Sequence, residues 1–150
     1  MVSRNWSHRV AVVFFALGLL VALAAVNGSS ATAATAGAVV CTGKAENPHY
    51  SKGSSGVIYK VRVVCTGPAV ITLRTFLGSG PYIGPHVTRS YTTQPKAMVA
   101  GVQETFYTPQ QPSRGIPCSP GVYYSGWGTL KIAGGTTDDF DTNRVTANCP

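Results

Sequence analysis

The chain has 150 residues, a formal net charge of +7 and only 11% charged residues. That length holds one small domain and excludes a multidomain machine. The cations are scattered rather than striped and no nucleic-acid motif accompanies them, which excludes a nucleic-acid-binding protein of recognisable type.

The first predicted element is a leader. Arg4 and Arg9 precede an apolar run from Val10 to Val26, and two small-residue triplets follow, Ala31-Thr32-Ala33 and Ala34-Thr35-Ala36. Charged, apolar and small segments in that order predict a helical signal peptide over residues 1–36, cleaved after Ala36 or Ala33. A membrane anchor is the alternative, because a run of 17 residues is at the lower limit for a span. The triplets favour cleavage, leaving no stable membrane span. Arg4 and Arg9 are not adjacent, so a twin-arginine route is not indicated. Val40 precedes Cys41, where a lipid-attachment site would carry a small residue. The expected product is a secreted, extracellular protein whose cysteines can be oxidised.

Residues 37–150 then form a single disulfide-stabilised β domain of 114 residues, with ten Lys and Arg against five acids, a net +5. A basic exterior attracts polyanions, acidic glycans or lipid headgroups, and the same charge also serves solubility alone.

No segment of this part repeats apolar residues at helical spacing, whereas period-2 alternation is clear. Ala38–Thr42 begins the series. In Gly56–Cys65, Val57, Tyr59, Val61, Val63 and Cys65 share one face, predicted to be the core face. Thr66-Gly67-Pro68 turns the chain, and Ala69–Leu77 puts Ile71, Leu73 and Leu77 on one face. These two segments read as a hairpin. Gly78–Pro85 reads as a loop because of its glycines and prolines. His86–Thr93 and Lys96–Thr108 are the next strands, Pro109–Pro120 a stiff loop, and Gly121–Ile132 a strand or bent pair. Gly134–Asn143 reads as a polar loop and Arg144–Cys149 as a last short strand. About seven strands with frequent turns predict an all-β antiparallel sandwich, Ig-like or a related Greek key, with a β-barrel as competitor.

Cys41, Cys65, Cys118 and Cys149 allow three pairings. Sequential pairs close the shortest loops, which favours Cys41–Cys65 and Cys118–Cys149. Separations of 24, 53 and 31 lack the close Cys-x-x-Cys spacing of a zinc site, so two structural disulfides are expected.

Four groups of residues invite a functional reading. Asp139, Asp141 and Asn143 alternate like the start of a calcium loop, but Arg144 and Pro150 stand where glycine and glutamate belong, so Asp138, Asp139 and Asp141 read as a solvated loop with no assigned metal. Hydrolytic chemistry lacks support: there is no Gly-x-Ser-x-Gly elbow, and no spacing places His49 or His86 beside a serine and a carboxylate. Glu46 and Glu104 as glycosidase acids would need a cleft that so small a domain hardly offers. Trp127 between Gly126 and Gly128, near Tyr123 and Tyr124, suggests a platform for sugar stacking, and Tyr82 in its Gly-Pro loop a second contact. A single Trp in a β-sandwich is more often a core anchor, and that is the favoured role for Trp127. Finally, Arg114 sits in a proline-stiffened loop tethered by Cys118, the preorganisation a protease inhibitor needs.

Cys41 with Asn47-Pro48-His49, Gly56-Val57-Ile58 leading to Cys65-Thr66-Gly67, and Cys118 followed by Gly121, Tyr123 and Trp127-Gly128 resemble small secreted four-cysteine actinobacterial proteins of unassigned function. The resemblance implies the leader and the disulfides and brings no functional residues. The chain also shares leader, size and cysteine count with the subtilisin-inhibitor-like family. It departs from that family where Ser119-Pro120-Gly121 follows Cys118 in place of the reactive segment.

The expected function is a non-catalytic binding module, without cofactor, for an anionic cell-wall polymer or glycan at the cell exterior, through Tyr82, Tyr123, Trp127 and basic side chains. The alternative is a secreted inhibitor of an extracellular protein such as a protease, acting through Arg114.

Overall fold

A computed structural model describes residues 31–150. The apolar run Val10–Val26, and the signal-peptide helix expected there, lie outside the described residues. Among the described residues no helix forms, and none is long and apolar enough to cross a membrane.

Among the described residues nine strands form: β1 (Ala31–Ala36), β2 (Val39–Ser51), β3 (Gly56–Cys65), β4 (Ala69–Gly80), β5 (Val87–Met98), β6 (Glu104–Thr108), β7 (Tyr123–Ile132), β8 (Thr137–Asp141) and β9 (Val145–Thr146). One sheet has the order β1-β2-β3-β6; the other has β5-β4-β7-β8, with β9 also pairing β7. Every pairing is antiparallel. Strands β2-β3-β6 occupy the places of A-B-E in an immunoglobulin-type sandwich, and β5-β4-β7-β8 those of C′-C-F-G. Tyr124, near the start of β7, is the tyrosine corner: its hydroxyl donates to Pro117 O at 3.1 Å and accepts from Ser119 N at 2.9 Å.

The core lies between the sheets and follows the predicted alternation. Val57, Tyr59, Val61, Val63 and Cys65 are buried from β3, and Ile71, Leu73 and Leu77 from β4. Leu130 and Ile132 meet them from β7. A buried hydroxyl pair, Thr75 on β4 and Thr108 on β6, joins the two layers. Both expected disulfides are present, Cys41–Cys65 across neighbouring strands and Cys118–Cys149 tying the long loop to the C-terminal segment. On the chain-entropy account each adds about 3–4 kcal/mol.

Several expectations need correction. Strands β3 and β4 are not a hairpin, because Thr66-Gly67-Pro68 carries the chain from one sheet to the other, where β4 pairs β5 and β7. The segment Lys96–Thr108 is two strands separated by a turn. The breaker-rich Gly78–Pro85 still contributes Gly78, Ser79 and Gly80 to β4, since β7 pairs with all three and β5 with the first two. The polar segment Gly134–Asn143 contains β8, which needs no apolar outer face because only Phe140 turns fully inward. Asn47-Pro48-His49 lies within β2 at an irregularity between Glu46 and His49.

Ala31–Ala36, which the sequence reading places in the leader, is strand β1 of the first sheet. It spans the two layers. Thr32 Oγ1 and Ala33 N donate to the Asp138 carboxylate on β8, the latter at 2.8 Å. Thr35 N donates to Thr136 Oγ1 and Thr136 N to Thr35 O. The folded unit thus takes in residues before the expected boundary at 37.

Candidate functional site

On the outer face of the second sheet, alternate residues of β5, β4, β7 and β8 come to a common register. Tyr91, Phe76, Trp127 and Asp141 form one row across the four strands. The next row is Thr93, Arg74, Thr129 and Asp139. The Phe76 ring is near-parallel to Trp127, 10° between planes and 5.8 Å between centroids, and lies 30° and 6.3 Å from Tyr91. Trp127 and Phe76 are half-buried and Tyr91 is 70% exposed. Trp127 therefore packs on the outside of the sheet and is not the anchor of the inter-sheet core. The six-membered edge of its indole passes over Gly78, where only a hydrogen fits.

An open cleft of about 440 Å³ borders this row, lined by Phe76, Trp127, Thr129, Asp139 and Asp141 among others. The strand geometry of β8 separates the three aspartates. Asp139 and Asp141 lie beside the aromatic row, whereas Asp138 turns the other way to β1. The Thr32 hydroxyl, with the Ala33 amide, holds the Asp138 carboxyl below its ordinary range. Among the described residues no group of three or more His, Cys, Asp or Glu side chains is placed to hold a metal ion.

Tyr82 and Tyr123 come together at the other end of the same face, with ring centroids 5.0 Å apart. Tyr123, Ser125 and Trp127 alternate outward along β7, so this pair and the aromatic row share one surface about 13 Å apart, four residues at the strand rise. Tyr124, read as part of the platform, is buried and committed to the corner. Arg114 is not on this face. It lies in the Cys118-tethered loop, and both its neighbours are bonded within the domain, Ser113 N to Gln110 O and Gly115 N to Ser54 O.

Sequence spacing missed Phe76 and Tyr91, whose partners across β4 and β5 become visible only with the strand register. It also missed that His86 Nδ1 is 2.7 Å from Ser125 Oγ. The Pro81 carbonyl, 3.0 Å from Nε2, can only accept, so in the neutral ring Nε2 carries the proton and Ser125 donates to Nδ1. A carbonyl, not a carboxylate, occupies the third position, and the histidine fastens the loop Pro81–His86 to β7.

The opposite face of the molecule differs in charge. Lys44 and Arg62 are cross-strand partners on the outside of the first sheet, and Lys60 Nζ lies 5.8 Å from the Tyr107 ring centre. Glu46 pairs with Arg62 at 2.7 Å. A further cleft of about 500 Å³ opens between Ala36, Val39, Val70, Met98 and Ile132, and its lining side chains are all apolar.

The fold and this face define an immunoglobulin-like sandwich with an aromatic sheet surface. A scan of family models found no match, and the curated proteins and the solved structures likewise contain none.

Proposed function

We propose that this chain is a non-catalytic, extracellular binding module that holds a glycan chain against Tyr91, Phe76 and Trp127. The observation that carries this reading is the common register of three aromatic rings on three adjacent strands. Strands lie about 4.8 Å apart, close to the length of one hexose ring in an extended chain. Successive sugar rings can then lay their C–H faces on successive aromatics. Asp139, Asp141 and Thr129 border the row as acceptors for sugar hydroxyls. The test is retention of the oxidised protein on purified bacterial cell walls across a salt series. Salt-resistant retention lost in Trp127→Ala and Tyr91→Ala supports stacking; no retention at low salt overturns the reading.

The two carboxylates make the aromatic face a poor site for an anionic polymer. Lys44, Lys60 and Arg62 on the other sheet, of which only Arg62 is offset by Glu46, favour that sheet for such a partner. Retention that fades with salt and falls in Lys44→Glu, with Trp127→Ala unaffected, supports this second reading.

A further inference from the structure

Gly80 and His86 bring the chain from β4 into β5 through a short apolar tip. Ile83 is 84% exposed, Tyr82 62% and Val87 56%. An exposed large apolar side chain is unremarkable singly, but three around one loop end are a patch that a soluble surface does not need. The tip is stiff. Pro81 and Pro85 frame it, and His86 bonds both Pro81 O and Ser125. A Cβ on Gly80 would stand 2.8 Å from both the Pro85 carbonyl and the His86 ring, so the loop folds tightly back on the strand.

Two guanidinium groups flank it. Arg144 donates to Tyr82 O at 2.7 Å, and Arg89 to Ser79 Oγ at 2.9 Å. The exposure of Ile83, Tyr82 and Val87 at a loop end suits insertion into a soft phase. Arginines beside an apolar tip match the phosphate layer above the acyl chains of an anionic bilayer. The nearest carboxylates of this face, Asp139 and Asp141, pair with Thr129 and Trp127. Trp127 lies about 13 Å along β7 from Tyr123, so the Tyr82 end of the face is set apart from both carboxylates.

We propose that Tyr82, Ile83 and Val87, with Arg89 and Arg144, form a docking tip for the surface of an anionic lipid bilayer. Ile83 and Tyr82 enter the headgroup–acyl boundary, and the arginines hold lipid phosphates.

The test is co-sedimentation of the full oxidised chain with vesicles of phosphatidylcholine alone or mixed with phosphatidylglycerol. The leader, with Arg4, Arg9 and the apolar run Val10–Val26, is common to all variants, so the deciding quantity is the affinity each variant loses for the mixed vesicles relative to the wild type. Ile83→Asp is expected to lower that affinity about tenfold, the loss of one buried aliphatic side chain. Arg144→Gln is expected to lower it about fivefold, and high salt to weaken the wild type. Ile83→Ser, which adds no charge, should fall in the same direction as Ile83→Asp. Ile83 is exposed, so these variants keep the fold, checked by circular dichroism. Equal binding to both vesicle types, or an Ile83→Asp variant that binds like wild type, overturns the proposal. Self-association in lipid-free solution that disappears in Ile83→Asp also overturns it, in favour of a second copy of this chain.

Discussion

Trp127 passes over Gly78: a Cβ on that glycine would lie 2.6 Å from the indole Cη2 and 2.7 Å from Cζ3. The indole edge is the movable partner, so Gly78→Ala is expected to keep the sheet and swing the ring out of its near-parallel alignment with Phe76. Near-ultraviolet circular dichroism should change while the far-ultraviolet spectrum does not. Retention on cell walls should fall with it. An unchanged near-ultraviolet spectrum would show that the glycine does not set the ring.

Removal of Trp127 and removal of a core residue should separate cleanly. Leu73 is wholly buried between the sheets, and Leu73→Ala is expected to cost about 2–5 kcal/mol. Trp127→Ala leaves the inter-sheet core intact and should cost about 1 kcal/mol, the range of one aromatic pair. Urea unfolding of both variants measures the difference. A Trp127→Ala loss as large as that of Leu73→Ala would assign the indole a core role.

Tyr59 is buried against Gly126, and among the described residues its hydroxyl has no hydrogen-bond partner. Burial, and then the nearby Asp141 carboxylate, push its phenol well above the ordinary tyrosine range. Deleting an unpaired buried hydroxyl removes a desolvation cost, so Tyr59→Phe is expected to raise stability by about 1 kcal/mol. A lower melting temperature in Tyr59→Phe would reveal a partner for that hydroxyl.

Asp138 ties β8 to β1, and its folded pKa lies below the unfolded value because of the Thr32 hydroxyl and the Ala33 amide. Its contribution is therefore complete above the unfolded value of about 4 and is lost as pH falls through the lower folded value. Melting temperatures between neutral pH and acid should show a smaller drop in Asp138→Asn than in the wild type. Equal acid limbs would show that the carboxylate does not support this link.

Strand β1 adds six register pairs with β2 and hydrogen bonds to Asp138 and Thr136. A chain beginning at Gly37 should melt below one beginning at Ala31. Identical melting would show that the sandwich does not use the strand. Mass determination of the protein purified from culture medium tests the proposed export and, where export occurs, the residue at which the chain begins.

Much of the architecture was legible locally. Alternation in Gly56–Cys65 named the buried face of β3 correctly, because side-chain period alone decides which residues face a core. Cysteine separation favoured the disulfides that form, because loop closure favours near neighbours. Trp127, Tyr82 and Tyr123 were legible as candidate display residues, but the sequence favoured a core position for Trp127, because nothing local shows which face of β7 points outward. Phe76 and Tyr91 were not legible, since each looked like one more strand residue until its cross-strand partner was known. The hairpin between β3 and β4 failed for the same reason: a short turn between two strands serves a hairpin or a crossing between sheets, and only the competition among all strands for partners decides.

An all-β chain, the core-facing residues of its clearest strands and its disulfide clasps follow from strand period and loop closure, which are local properties. Tyr91, Phe76 and Trp127 sharing a row, Asp138 parting from Asp139 and Asp141, and Ala31–Ala36 joining the sheet are outcomes of long-range packing. Those outcomes depend on register between strands distant in the chain, which packing of the two layers sets and no local pattern encodes.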